Sequence, residues 1–357
     1  MCRAGRRPAV PETRMHSADE MNAPSVVVSP GPGPSVGAPV GSMAVGPASR
    51  STAMRGLVRT LRPHQWVKNL FVLAPMFFHK DVFLATAEGP ALNLTVTGRA
   101  LAATGVFCLL AGAIYTINDL VDVRSDRVHP VKRLRPIASG RVTEASARTL
   151  AAALVIGSVA IAYLLSPWLA VIAALYLAEN MAYSFKLKNV AFVDVGLIAA
   201  GFVLRVLAGG IATGVHVSGY MLGCTALLAL YLGFGKRRHE LALEDAAKHR
   251  AALQAYTPLS LNIALAVTGT ATAVTYVAYT LDPFTRAAFN SEYLWLTAPF
   301  TVFGIVRFLF LVSGRAGRGV RAESPTQEML YDVPFVLNLV LWMAVVVAIV
   351  YKLRPSA

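Results

Sequence analysis

Four residues set the chemical question: Asn118, Asp119, Asp122 and Asp126, spaced N-D-x-x-D-x-x-x-D within YTINDLVDVRSDRVHPVKRLRPIASGR. Positions 119, 122 and 126 stand at i, i+3 and i+7, which predicts three carboxylates on one stripe at a helix end. Like charges on one stripe repel, and a hard divalent cation relieves that repulsion. Mg²⁺ suits such a site because it takes one or two carboxylates and completes its shell with water and phosphate oxygens. The competing reading is a solvated helix end neutralised by Arg124, Arg127 and their basic neighbours. What favours the metal is that these are the only acidic residues in an otherwise basic loop.

Basic residues surround the motif. Lys132, Arg133, Arg135 and Arg141 follow it directly. RPHQWVKN, further upstream, supplies Arg62, His64, Gln65, Lys68 and Asn69. YSFKLKNVAFVD supplies Tyr183, Lys186, Lys188 and Asp194, and GFGKRRHELALED supplies Lys236, Arg237, Arg238, His239 and Glu240. A carboxylate cluster among cations fits a metal-bound diphosphate, which needs both. Neither a CxxC nor an HExxH spacing is present, which argues against zinc chemistry, and Cys2, Cys108 and Cys224 lie too far apart in sequence to suggest a disulfide framework.

The elements holding these residues are written in the composition. The chain has 357 residues, 55% hydrophobic and 15% charged, where a soluble domain carries about 25% charged residues. Its mean hydropathy is +0.55. Nine apolar runs follow one another at 64–85, 98–119, 145–165, 168–184, 192–213, 217–235, 258–281, 292–313 and 333–352. Each approaches the length needed to cross a hydrocarbon core of about 30 Å. A soluble enzyme is excluded. Residues 1–53, rich in Pro, Gly, Ser and Ala, lack helical periodicity and read as a disordered tail ahead of a transmembrane domain at 54–357.

Net charge is +14, which in a soluble protein would suggest nucleic acid. Here the charge lies in short loops. With the N-terminus inside, loops 120–144, 185–191, 236–257 and 314–332 carry six, two, five and three Lys/Arg residues, all on one side. By the positive-inside rule that side is expected to be cytoplasmic, in a multi-pass protein of the cell (inner) membrane. The implied partners are phosphorylated substrates and anionic membrane lipids, and oligomeric state is left open. Arg205, near the middle of one run, either borders a cavity as a phosphate ligand or pairs with Glu179 or Asn180. Arg307 reads as snorkelling to the inner surface.

The N-D-x-x-D-x-x-x-D motif, the Tyr-Ser-x-x-Leu-Lys segment and the nine runs resemble the UbiA superfamily of intramembrane prenyltransferases over residues 57–352. The resemblance implies an all-α, nine-helix bundle whose cytoplasm-facing cavity binds a Mg²⁺-diphosphate and opens sideways to a lipid tail. It implies Mg²⁺ on Asp119, Asp122 and Asp126, support from Asn118, and phosphate contact by Lys188. One departure stands out: where prenyl-diphosphate users carry a second D-x-x-x-D, this chain has Lys236-Arg237-Arg238-His239-Glu240, with Glu244 and Asp245 further on.

With RPHQWVKNLFVLAP and GFVLRVLAGG, that change resembles the branch acting on phosphoribosyl pyrophosphate (PRPP) and a polyprenyl (decaprenyl) phosphate. The branch implies transfer of 5-phosphoribose with inversion at C1, feeding cell-wall arabinan. Candidate phosphate ligands are then Lys68, Asn69, Arg124, Arg127, Lys132, Arg135, Tyr183, Lys186, Lys188, Arg205, Lys236, Arg237 and Arg238. Prenyl transfer to an aromatic acceptor is the alternative within the family. A lipid or solute transporter is the alternative outside it, although transporter carboxylates belong near the midplane.

Overall fold

In a computed structural model of the chain, the residues described are 50–78, 83–86, 89–242, 251–313, 329 and 331–352. Most of the expected tail, residues 1–49, lies outside them, as do Glu244, Asp245 and most of the 314–332 loop. Helix α1 (Arg50–Thr60) already starts within the stretch expected to be tail.

After α1 the chain enters a 3₁₀ helix, Pro63–Leu73, that runs into the short α2 (Ala74–Phe78). A hairpin of β1 (Phe83–Thr86) and β2 (Gly89–Leu92) follows, with Phe83 opposite Leu92. The first apolar run is therefore not one long helix. Arg62, at φ 52° and ψ 61°, turns the chain into the 3₁₀ segment. Gly209 allows that segment to lie where it does, because a Cβ there would come within 1.9 Å of the Val72 carbonyl oxygen. The 3₁₀ helix thus packs on α3 and α7 through its buried Asn69 and Val72.

The long helices begin and end on ordinary signals. Asn93 caps α3 (Leu94–Val121) by accepting from the Val96 amide at 3.2 Å, and Thr143 caps α5 (Glu144–Leu165). Pro167 opens α6 (Pro167–Phe185) at a position where its missing N–H costs nothing. Gly214 ends α7 (Val193–Thr213) in the left-handed region, at φ 75°. Between α3 and α5 lie α4 (Val123–Val128) and a 3₁₀ turn, Lys132–Leu134.

Helix α8 spans Gly219–Ala242, so Lys236-Arg237-Arg238-His239-Glu240 is helical rather than loop. Beyond it come α9 (Ala251–Gln254), α10 (Pro258–Leu281, with a Thr257/Ser260 capping box), α11 (Pro283–Phe289), α12 (Ala298–Val312) and α13 (Val333–Val347).

Among the described residues, seven helical stretches are long and apolar enough to cross a membrane: 94–121, 144–165, 167–185, 193–213, 258–281, 294–312 and 333–350. The two other expected spans are the 3₁₀–α2 segment, too short and irregular, and α8, whose final turns are charged. The protein is a multi-pass helical membrane protein. Outward residues such as Leu164 and Ile156 present bare apolar surface to lipid.

Neighbours pack in the order α3–α5–α6–α7–α8–α10–α12–α13. One core gathers Val72, Phe107, Leu110, Ala173, Tyr176 and Ala208. A second joins Val195, Tyr231, Leu261, Leu265 and Phe308. Antiparallel neighbours with short connections bring the C-termini of α3, α6 and α8 and the N-termini of α5, α7 and α10 to one end of the bundle. All the basic segments named above that are described lie there.

Candidate active site

The carboxylate motif straddles a helix break. Asp119 lies in the last turn of α3. Asp122 is the junction residue, at φ −85° and ψ 0°, and Asp126 belongs to α4. The continuous stripe expected at i, i+3 and i+7 is therefore interrupted at Asp122. The break turns Asp126 back toward Asp119, and both are buried, at 3% and 2% exposure.

Arg135 closes the gap: its Nη1 donates to Asp119 Oδ1 at 3.2 Å and to Asp126 Oδ2 at 2.7 Å. Arg62 Nη2 donates to the same Asp119 oxygen at 2.6 Å, with its guanidinium 5.0 Å from the Tyr115 ring centroid. Among the described residues no three Asp, Glu, His or Cys side chains converge, so Asp122 does not join the pair. Nor does its carboxylate make a side-chain hydrogen bond or ion pair there.

Two carboxylate oxygens thus face one point already held by a guanidinium nitrogen. Anionic oxygens facing a shared cation are the donor set that Mg²⁺ prefers, and one or two carboxylates suffice when a phosphate supplies further oxygens. The residues present fit the metal. Arg62 was read only as part of a basic patch, and its ion pair with Asp119 was not anticipated. The signal available was its position in RPHQWVKN.

The other candidates divide by environment. Arg124, Lys132, Lys186 and Lys236 are exposed at the same end as the carboxylates, while Asn118, Tyr183, Lys188 and Arg238 are half-buried there. Arg238 Nε donates to Asn262 Oδ1 at 3.2 Å. Arg127 bonds Glu144 at 3.1 Å at the mouth of α5. Lys68 keeps accessible surface, yet protein packs around its ammonium. That enclosure lowers its pKa to about 8, and the charges of Lys236 and Arg205 push in the same direction. Two of the basic patches are thereby electrostatic neighbours.

Three candidates are committed to the fold instead. Asn69, at 1% exposure, accepts from Arg205 Nε at 2.8 Å and donates to Cys108 Sγ at 3.4 Å. Arg205 is buried, donating also to the Gly201 carbonyl at 2.9 Å and the Tyr176 hydroxyl at 2.6 Å. It forms an ion pair with neither Glu179 nor Asn180; Asn180 instead donates to Glu179 at 3.2 Å. Arg237 has no accessible surface; its Nε lies 2.9 Å from Asp194 Oδ2 and its Nη1 bonds Glu240. An arginine enclosed by two carboxylates is not a surface phosphate ligand. Arg307, expected to snorkel, is held by Asp332 at 2.9 and 2.7 Å.

Comparison with known proteins follows the same lines. The model of the UbiA prenyltransferase family matches residues 72–323. Decaprenyl-phosphate phosphoribosyltransferase of Mycolicibacterium smegmatis is 35% identical over 306 residues, covering 83% of this chain and 92% of that protein. The Corynebacterium glutamicum protein of the same name is 33% identical, covering 83% and 87%. A UbiA homolog from Archaeoglobus fulgidus, solved with GPP and Mg²⁺, has the same fold. Its TM-score is 0.59 at 18% identity, over 83% of this chain and 99% of the other.

Proposed function

The chain belongs to the UbiA prenyltransferase family, and on that basis we propose that it transfers 5-phosphoribose from PRPP to a polyprenyl phosphate, releasing pyrophosphate. It is a membrane transferase; what is proposed is the donor, the acceptor and the residues that serve them. The observation that carries the reading is the balance of charge at one end of the bundle. One converging carboxylate pair stands among accessible cations, and α8 ends in a basic segment where prenyl-diphosphate users have acidic residues. PRPP brings a diphosphate and a 5-phosphate, and the acceptor brings a third phosphate group. A site with many cations and few carboxylates suits that load, and the similarity to named phosphoribosyltransferases supports it.

In this reading Asp119, Asp122 and Asp126 would hold Mg²⁺, which would supply charge neutralisation for the departing diphosphate. Arg62 holds Asp119, and Arg135, giving up its position between the carboxylates, would flank the diphosphate. Lys186, just ahead of the 3₁₀ turn Leu187–Asn189, and Lys188 within it face the donor's phosphates, with Arg124 and Lys132 beside them. Lys68 and Lys236 receive a further phosphate where Arg205 and Asn69 form the wall behind them. The acceptor's second ionisation lies near pH 6, so its oxygen is already anionic at neutral pH and needs no general base. That oxygen bonds to C1 as the C1–pyrophosphate bond breaks on the opposite face, which inverts C1. The side chains orient both partners and stabilise charge. In this reading the basic end faces the cytoplasm, which the loop charges support.

The test uses purified protein in detergent with Mg²⁺, PRPP labelled in the ribose, and a polyprenyl phosphate. Label entering the lipid phase and abolished by EDTA is the expected result. Product formed instead from a prenyl diphosphate and an aromatic acid would leave the family assignment and overturn the donor.

A further inference from the structure

A buried polar network lies behind the Lys186–Lys188 segment, built from three separate parts of the chain. Asp194, in the first turn of α7, has no accessible surface. Its Oδ2 lies 2.9 Å from Arg237 Nε on α8. Its Oδ1 accepts from the Tyr256 hydroxyl at 2.8 Å, in the connection between α9 and α10. The same hydroxyl accepts from the Phe192 amide at 2.6 Å. Phe192 has φ 64° and ψ −40°, a backbone conformation that side-chain-bearing residues avoid and that persists only when its surroundings hold it. Its ring packs on Tyr256 with centroids 4.9 Å apart.

The network is more than a helix cap. Between the end of α6 and the start of α7 the chain makes only a short 3₁₀ turn, Leu187–Asn189, and Lys186, Asn189 and Val190 lie at the surface. Such a turn has little core of its own to fix the two lysines. Its downstream end is set by Phe192 and Asp194, and both are gripped by Tyr256. Arg237 anchors the same carboxylate to α8, the helix that carries Lys236. We propose that Tyr256, Asp194 and Arg237 are positioning residues for donor binding. Through Phe192 they set the Lys186–Lys188 turn at the height and angle that meets the donor's phosphates, and they tie it to the basic end of α8. The proposal rests on the assignment of that turn to the donor.

Tyr256→Phe isolates the idea, because it removes one hydroxyl, keeps the ring contact and leaves Asp194 paired with Arg237. The donor KM should rise about fivefold for two lost hydrogen bonds, while the polyprenyl phosphate KM and kcat change less than about twofold. Trypsin should cut after Lys186 and Lys188 faster than in the wild type, with cleavage elsewhere unchanged. A purely structural role would instead lower the folded fraction and kcat together and leave both KM values alone; that result overturns the proposal. So does an unaltered donor KM with unaltered cleavage. Lys188→Ala, measured in parallel, separates the two levels. If it leaves the donor KM unchanged, the donor assignment itself falls and the proposal with it. If it raises the donor KM and Tyr256→Phe does not, only the positioning role falls.

Discussion

Arg135 and Asp126, nine residues apart, meet at 2.7 Å across the connection that leaves α3. The same guanidinium nitrogen reaches Asp119 at 3.2 Å, so one side chain bridges two buried carboxylates that would otherwise repel. A cation is thus part of the folded state, and the position it holds is the one assigned above to a metal.

That shared position makes Arg135→Gln informative. Asp126 loses its side-chain partner among the described residues, while Asp119 keeps Arg62. Arg135 is 29% exposed, so solvent softens the loss, and the expected cost is about 1–3 kcal/mol. Millimolar Mg²⁺ should raise the unfolding temperature of the variant more than that of the wild type, because it restores a missing cation. Equal Mg²⁺-induced shifts in both proteins would show that arginine and metal do not share a site.

Much of the architecture is legible in the sequence because a membrane span is a local property. The runs at 145–165, 168–184, 192–213 and 258–281 correspond to α5, α6, α7 and α10 within a residue or two. Their ends carry Ser-Pro, Thr-Gly and Asp-Pro signals that act within a few residues. The first run reads as one continuous span, whereas the chain breaks it into a 3₁₀ helix, a short α-helix and a hairpin. That break depends on the left-handed Arg62 and on the contact between Val72 and Gly209, a relationship between distant segments. The basic end of α8 reads as loop in the sequence but is helical to Ala242. Lys, Arg and Glu are good helix formers, and the burial of Arg237 depends on Asp194, which no spacing reveals. The aspartate motif was found, but its geometry was not, because a helix break at Asp122 replaces the expected stripe.

Lys68 gives a pH dependence with a defined sign. An ordinary lysine stays charged past pH 10, whereas the pKa of Lys68 falls to about 8 through enclosure and the neighbouring charges of Lys236 and Arg205. Its cationic form is therefore present at pH 7 and is lost as pH rises through 8. If Lys68 receives a phosphate, the KM of the substrate that it binds should climb between about pH 7.5 and 9.5. Lys68→Arg should flatten that climb, since guanidinium stays charged throughout the range. A wild-type profile that is flat to pH 9.5 would remove Lys68 from the site.

Asn69 leads to the opposite expectation. Its amide oxygen accepts from the Arg205 Nε at 2.8 Å, and both side chains are buried. Asn69→Ala leaves a buried charged donor short of a partner, at a cost of about 1–3 kcal/mol. The yield of folded protein and the unfolding temperature should both drop, whereas the donor KM of the surviving folded fraction should stay within about twofold. A large donor KM increase at unchanged unfolding temperature would return Asn69 to the phosphate ligands.

Asp122 separates function from stability most cleanly. It ends α3 and opens α4, and its backbone carbonyl accepts from the Asp126 amide at 2.8 Å. Its carboxylate, by contrast, bonds no described side chain. Asp122→Asn should therefore leave the unfolding temperature in EDTA unchanged. Asp119→Asn and Asp126→Asn should lower it, because each weakens an ion pair with Arg62 or Arg135. If the three aspartates act together on Mg²⁺, as proposed, all three variants should lose roughly 100-fold or more of Mg²⁺-dependent transfer. The stabilising effect of Mg²⁺ should weaken in Asp122→Asn as well. Wild-type turnover by Asp122→Asn would restrict the metal to the Asp119–Asp126 pair. A loss of stability in EDTA equal to that of Asp126→Asn would mean that the Asp122 carboxylate does structural work at the helix junction.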